Sequence, residues 1–122
     1  MPRLKISEQR VGDVTVLTLT GRLVLGEGDI PLREHINTLI QEGRVDLVLN
    51  LRHVSCIDSS GVGIVVAKYL GLRRRGGDLK LVGLSRRCRR VFEITGLLSV
   101  FKPFESEEAA IRSVAVEHEV VV

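Results

Sequence analysis

The sequence predicts an α/β fold for a single domain over residues 1–122, in which helices cover a sheet of mixed direction mainly on one side. Segments of strand type alternate with segments of helical periodicity in the order β-β-α-β-α-β-α-β-α. Connections of this length join parallel strands as crossovers. Hydrophobic residues make up 44% of the chain and aromatic residues only 3%. We therefore expect an aliphatic core that is large enough to need no disulfide or metal.

The chain begins with the pattern of an antiparallel β-hairpin. Residues 14–20 contain β-branched residues in partial alternation, which is typical of a strand, and a glycine follows them. A shorter strand around residues 4–7 is expected to pair with this one across a turn at residues 10–13. The hairpin forms one edge of the predicted sheet.

A helix, a buried strand and a second helix follow the hairpin. Asp29, two residues before Pro31, is typical of a helix start, and Gly43 marks the end of that helix. Its apolar residues recur at helical spacing, at Leu32, Ile36, Leu39 and Ile40. Residues 45–51 are rich in apolar residues, which indicates a central strand. The second helix runs for about four turns to near Arg75, and its apolar face is marked by Val62, Val65, Val66 and Tyr69.

The end of the chain predicts another strand and helix, then a last pair. Residues 79–82 alternate as a strand, and Ser85 caps a third helix that ends at Gly96. Residues 100–104 include a proline and are expected to form a short edge strand. Residues 105–117 are expected to form the last helix.

The sequence lacks the common motifs of catalysis and metal binding. No nucleophile elbow, HExxH motif or P-loop occurs in it. Cys56 and Cys88 have no CxxC spacing, and the three histidines fall in different elements, at His35, His53 and His118. The sequence therefore predicts no catalytic residue, no cofactor and no metal site.

The expected compartment is the cytoplasm. The N-terminus lacks the apolar segment of a signal peptide, and no apolar run approaches the roughly 20 residues of a membrane span. Two cysteines are too few for a disulfide framework, which agrees with a reducing environment. We therefore expect a protein without membrane contact.

Arginines are concentrated in two groups, although the formal net charge is only +3. The groups are Arg73–Arg75, and Arg86, Arg87, Arg89 and Arg90. Because both flank residues 78–82, we expect them to share one end or edge of the domain. Such a patch is either a solvated helix face without a partner or a surface that binds an acidic protein or the phosphate backbone of a nucleic acid. Nucleic-acid modules usually add aromatic residues for stacking, which this chain almost lacks, so nucleic-acid binding is an alternative rather than the main prediction.

The segment Asp58–Gly63 lies between the central strand and the second helix, where open α/β sheets place their sites. Asp58 or Ser59 is suited to cap the helix through a side-chain oxygen. Gly61 and Gly63 have no side chains and are expected to leave the first helical turn open to another molecule. A helix cap with no further role is the alternative interpretation.

This segment and its surroundings resemble the signature of the STAS domain family, which is named for sulphate transporters and anti-sigma factor antagonists. The resemblance covers residues 14–111 and is carried by Thr20–Leu23, Val48–Leu51, Ile57–Gly63, Gly76–Leu79 and Val91–Leu97. It implies a STAS-type α/β fold, with a mixed sheet, an N-terminal β-hairpin and about four helices. It also implies an anti-sigma factor antagonist, a regulator of transcription that is not an enzyme and makes no direct contact with nucleic acid.

In that family, the first serine of the motif accepts a phosphate from a serine kinase that is also the anti-sigma factor. The resemblance places this role on Ser59 and places partner contacts at Asp58, Ser60, Gly61, Val62 and Gly63. The unphosphorylated antagonist binds the anti-sigma factor and frees the sigma factor, whereas the phosphorylated form is released. A helix N-terminus tolerates the phosphate, but its charge beside Asp58 would repel an acidic or apolar partner surface. Ser60 is the competing acceptor.

The sequence departs from the family pattern in the loop before the first helix. The family commonly carries an aspartate directly after the Gly-x-Leu that ends the second strand, and this chain has Val24 there. Glu27 or Asp29 is a candidate substitute in recognition by the kinase. The alternative functions are a scaffold subunit of a stress-signalling complex or of a lipid or anion transporter, and a small enzyme that uses Cys88 or Ser59.

Overall fold

One sheet and four α-helices make up the computed structural model of the chain, which describes residues 4–119. The strands are β1 (Lys5–Val11), β2 (Val14–Leu23), β3 (Asp46–Ile57) and β4 (Asp78–Val82). The helices are α1 (Asp29–Gln41), α2 (Ser59–Arg74), α3 (Arg86–Ile94) and α4 (Glu107–Glu119). The strands lie in chain order, with β1 and β2 antiparallel and the other neighbours parallel. The predicted mixed sheet with an N-terminal hairpin and about four helices is therefore confirmed.

The hairpin forms as predicted, but its first strand is longer than the sequence pattern indicated. β1 pairs with β2 along its whole length, from Lys5 opposite Thr20 to Val11 opposite Val14. As the edge strand, β1 is mostly exposed on both faces. Polar residues therefore fill it, and the alternation that identifies a half-buried strand is weak.

Successive residues of a strand point to opposite faces of the sheet. Each face of this sheet has its own kind of aliphatic side chain. Leucines line the face that α1, α2 and α3 cover, at Leu17, Leu19, Leu47, Leu49, Leu79 and Leu81. Valines line the face that α4 covers, at Val14, Val16, Val48 and Val82, where they pack with Ala110 and Val114. Three of the four helices share one side of the sheet, in agreement with the predicted fold.

β3 extends six residues beyond the strand end expected from the sequence at residue 51. Its pairing with β4 stops at Asn50, but its pairing with β2 continues until Ile57 lies opposite Leu23. The extension is hard to detect in the sequence because polar residues interrupt its apolar pattern. Val54 and Ile57 are nevertheless buried, and α3 packs against this part of the strand through Cys88, whose sulfur lies 3.6 Å from the Val54 carbonyl oxygen.

The edge strand predicted for residues 100–104 is wrong. A 3₁₀ turn at Leu97–Ser99 precedes this segment, and only Phe104 pairs with the sheet, through one parallel bridge to Val82. Pro103 has no N–H with which to extend the ladder. Phe101 turns inward instead, and its ring makes edge-to-face contacts with Tyr69 and Phe92 at centroid distances of 5.0 and 5.9 Å.

Candidate functional site

The site is built where β2 and β3 end side by side. Leu23 and Ile57 are register partners at the carboxyl ends of β2 and β3, so the segments that follow them leave the sheet at the same end. Residues 24–28, called the 24–28 loop below, lead from β2 into α1. Residues 58–63, the 58–63 turn, lead from β3 into α2. The parallel pairing therefore brings together two segments that lie more than thirty positions apart in the chain.

Asp58 connects the loop to the helix. Its backbone is extended, with φ −116° and ψ −173°, as at a typical helix N-cap. One carboxylate oxygen accepts a hydrogen bond from the Gly61 N–H at 3.0 Å, and the other accepts one from the Leu25 N–H at 3.1 Å. The sequence predicted the cap, but not the second bond, because Leu25 belongs to a different segment.

The carboxyl group of Asp58 is held in its ionised form. Burial raises the pKa of this group, but hydrogen bonds from backbone N–H groups, first Gly61 and then Leu25 and Ser60, outweigh it and lower the pKa below its usual range. Each of these donors stabilises the charged carboxylate and would be weakened by protonation. The site therefore carries a fixed negative charge at the start of α2 at neutral pH.

Ser59 and Ser60 differ in their accessibility. Ser59 is the first residue of α2 and is exposed, whereas Ser60 is half-buried. Within residues 4–119, no hydrogen bond holds the Ser59 hydroxyl. A modifying enzyme would therefore reach Ser59 more readily than Ser60.

Gly61 and Gly63 have different roles, although their lack of side chains predicted that both would leave the first turn of the helix open. A Cβ atom on Gly61 would lie 2.2 Å from the Leu23 carbonyl oxygen and 2.8 Å from Ile57 Cγ1, so this glycine lets α2 approach the end of β2 within the same chain. The expectation is wrong for Gly61. Gly63 is exposed with open space around it, as expected. Val62 is buried in the core.

The acidic residues in and next to the 24–28 loop already have hydrogen-bond or ion-pair partners within the chain. Asp29 is buried, and its carboxylate accepts a hydrogen bond from the Gly26 N–H at 3.0 Å. Glu27 lies 3.6 Å from Arg22 in an ion pair. Val24, at the position where the family commonly has an aspartate, is also buried.

Apolar side chains are exposed at the same end of the sheet. Leu25, whose backbone N–H contacts Asp58, is 71% exposed, and Ile30 in the first turn of α1 is 46% exposed. Ser59 opens α2 at this end as well. The combined surface joins these apolar side chains to the ionised Asp58 carboxylate, the exposed Ser59 and the Arg22–Glu27 ion pair, a mixture that suits a protein partner.

The two arginine groups lie at opposite ends of β4, which corrects the expectation of a shared patch. α2 runs back toward the start of the sheet, so Arg73–Arg75 lie near the beginning of β4, and Arg73 lies 3.5 Å from Asp78 there. α3 begins after β4 has ended and carries the second group. The helix of a parallel crossover returns the chain to the end of the sheet where the strands begin. The length of β4 therefore separates the two arginine groups.

The remaining candidate residues stay apart from the site. Cys88 is 1% exposed and packs as a small core residue, and Cys56 is half-buried, both as free thiols. Among the described residues, no group of three histidine, cysteine or carboxylate side chains could hold a metal ion. In the same part of the chain, no helix is long and apolar enough to cross a membrane.

Known proteins share this fold and are similar to the chain in sequence. Residues 5–110 match the STAS domain family. An anti-sigma-B factor antagonist from Bacillus subtilis (strain 168) is 36% identical over 93 residues, which are 73% of this chain and 84% of the relative. The structure of the Bacillus cell fate determinant SpoIIAA in its phosphorylated form matches with a TM-score of 0.70 at 29% identity, over 89% of this chain and 99% of that one. An anti-sigma factor antagonist from Mycobacterium paratuberculosis has the same fold, with a TM-score of 0.80 at 22% identity over 92% and 94% of the two chains.

Proposed function

The chain belongs to the STAS domain family, and from this membership we propose that it is an anti-sigma factor antagonist that works in the cytoplasm. The relatives described above carry that function in their names. For this chain, the main observation is the exposed Ser59 at the first position of α2, beside an ionised Asp58. Its role is regulation by binding, without catalysis.

The partner is an anti-sigma factor that is also a serine kinase. Its contact surface comprises the 58–63 turn, through Asp58, Ser59, Ser60 and Gly63, and the exposed Leu25 of the 24–28 loop. Gly61 and Val62 support this surface from below, since both are buried. In its unphosphorylated form the chain binds the anti-sigma factor, which then releases the sigma factor.

Phosphorylation of Ser59 ends this contact without unfolding the chain. The phosphate adds about −1.5 to −2 charges at neutral pH. At the N-terminus of α2, the helix dipole and the free N–H groups favour that charge. On the partner side, the phosphate adds to the charge of Asp58 and lies near the apolar Leu25. A loss of about 2–3 kcal/mol in binding free energy lowers the affinity roughly a hundredfold.

Ser59 is the acceptor in preference to Ser60. The half-buried position of Ser60 limits access by a kinase, while Ser59 is exposed. The structural relative SpoIIAA occurs in a phosphorylated form, which supports phosphorylation as the means of regulation. Because Val24 is buried and the nearby acids are held within the chain, the kinase recognises Leu25 in this loop rather than a carboxylate.

Phosphopeptide mapping tests the acceptor. The chain is incubated with ATP and each anti-sigma factor kinase encoded in the source genome, and wild type is compared with the matched variants Ser59→Ala and Ser60→Ala. We expect phosphate on wild type and on Ser60→Ala, and none on Ser59→Ala. Phosphate on Ser60 alone would assign the acceptor role to Ser60 instead of Ser59. No phosphate on wild type would favour the scaffold or transporter function.

Calorimetric titration with the same kinases tests the switch. Unphosphorylated chain and Ser59→Ala are expected to bind, and phosphorylated chain is expected to bind about a hundredfold more weakly. Equal affinity of the two forms would refute release by phosphorylation. Salt-sensitive binding of random duplex DNA, together with no binding to any kinase, would favour the nucleic-acid function instead.

A further inference from the structure

β4 has an open outer edge in the middle of the strand. Backbone groups of successive strand residues point to opposite sides. The Asp78 N–H donates to the Val45 carbonyl, on the side of β3, whereas the Leu81 carbonyl accepts from the Phe104 N–H on the outer side. The N–H of Leu81 and the carbonyl of Leu79 therefore also point outward. Two partners already occupy this side among the described residues: the Asp78 carboxylate accepts from the Leu79 N–H at 2.7 Å, and the segment at Phe104 meets the end of β4.

A cavity of about 350 Å³ adjoins this open edge. It lies where the expected edge strand of residues 100–104 would have continued. One wall is the β4 edge from Leu79 to Leu81, and another is formed by Tyr69 and Phe101, whose rings pack edge to face. Val100, which is half exposed, adds an apolar surface at its rim. We call this cavity the β4 groove.

The β4 groove has a positive balance of charge. Arg73, Lys80 and Lys102 line it, and Asp78 is the acidic residue among its lining side chains. The Asp78 carboxylate lies 3.2 Å from Lys80 Nζ and 3.5 Å from Arg73, so its charge is already compensated within the chain. Lys102 is exposed at the mouth of the groove. An incoming group with negative charge is therefore favoured over a neutral or positive one.

We propose that the β4 groove binds an extended acidic segment of a partner protein, which adds to the sheet as a further strand beside β4. The outward Leu81 N–H and Leu79 carbonyl supply main-chain hydrogen bonds, the usual source of affinity in strand addition. The aromatic wall takes an apolar side chain of the segment, and Lys102 attracts its carboxylates. Arg73 lies fourteen residues along α2 from Ser59, or about 21 Å. The groove and the phosphorylation surface can therefore be occupied at the same time.

Titration of the ¹⁵N-labelled chain with a capped hexapeptide in which valine alternates with glutamate tests this proposal. We expect the largest chemical-shift changes at Leu79–Leu81 and Phe101, slower exchange of the Leu81 amide, and weaker binding in high salt. A peptide in which lysine replaces glutamate is the probe control. Lys102→Glu is expected to weaken binding about tenfold and Lys102→Gln about threefold. Lys5→Glu makes the same charge change on β1, at the opposite edge of the sheet, and is expected to leave binding unchanged.

Three outcomes would overturn the proposal. The first is the absence of peptide-induced changes at Leu79–Leu81, or changes confined to the arginines of α3. The second is equal binding of the glutamate and lysine peptides. The third is protection of the Leu81 amide by self-association as protein concentration rises, which would assign the edge to a second copy of the chain. Because no kinase or phosphate enters this experiment, its result is independent of the switch at Ser59.

Discussion

Replacing Asp58 with alanine tests whether this carboxylate holds the 24–28 loop against α2. The substitution removes the hydrogen bond from Gly61 at 3.0 Å and the one from Leu25 at 3.1 Å. Loss of a helix N-cap alone costs about 0.5–2 kcal/mol. A second hydrogen bond to a charged group adds about 1 kcal/mol, because the site is half-buried and its net contribution is screened. We therefore expect the free energy of unfolding to fall by about 1.5–3 kcal/mol.

Urea denaturation of Asp58→Ala and Asp58→Asn measures this loss. The asparagine retains an oxygen that can accept from Gly61, but its amide nitrogen cannot accept from Leu25, so we expect it to lose roughly half as much stability. Asp13→Ala, at the exposed hairpin turn, removes an acid without these contacts and should change stability by less than about 0.5 kcal/mol. A loss below about 0.5 kcal/mol for Asp58→Ala, with unchanged amide signals in the loop, would refute this role.

The pH dependence of Asp58→Ala provides a second measurement of the same effect. Since the pKa of the Asp58 carboxyl is lowered on folding, its stabilising contribution is fully present above the pKa of an unfolded aspartate. It is lost as the pH falls through the lowered pKa of the folded state. The stability difference between wild type and Asp58→Ala should therefore be constant near neutral pH and shrink on acidification. A difference that grows in acid would contradict the argument.

Three further predictions concern the packing and the partner surface. Gly61→Ala should lower the free energy of unfolding measured with urea by about 1–3 kcal/mol, because the added methyl group meets the Leu23 carbonyl. Gly63→Ala has open space around it and should be neutral or stabilising by up to about 1 kcal/mol. Equal effects of the two substitutions would contradict the close approach at Gly61. Phe101→Ala should lose about 3–5 kcal/mol in the same assay, because the ring is buried and contacts two other rings, and a loss below about 1 kcal/mol would contradict its role in the core. Ser59→Asp should bind the anti-sigma factor kinase more weakly than Ser59→Ala in calorimetric titration, while both fold; tighter binding by the aspartate would contradict repulsion at this surface.

Local patterns in the sequence were sufficient for the fold class and for placing the candidate site at a junction between a strand and a helix. The alternation of residues 14–20, the helical spacing of α1 and α2, and the cap before the first turn of α2 each depend on neighbours within a few residues. The hairpin and the crossovers follow from the lengths of the connections. For the same reason the segment Asp58–Gly63 could be assigned to a strand–helix junction, and the resemblance to the STAS family could be detected from its residues.

The tertiary structure alone decided how that junction is built and what surrounds it. The bond from Leu25 to Asp58 and the close approach of Leu23 to Gly61 join residues far apart in the chain. They exist only because β2 and β3 are parallel neighbours whose pairing ends with Leu23 opposite Ile57. The extension of β3 is hidden in the sequence because its outer residues are polar, while burial under α3 stabilises it. The separation of the arginine groups follows from the direction of α2, and the open edge of β4 follows from the inward turn of Phe101. Caps and periodicities are set by adjacent residues, whereas these features depend on which segments the fold brings together.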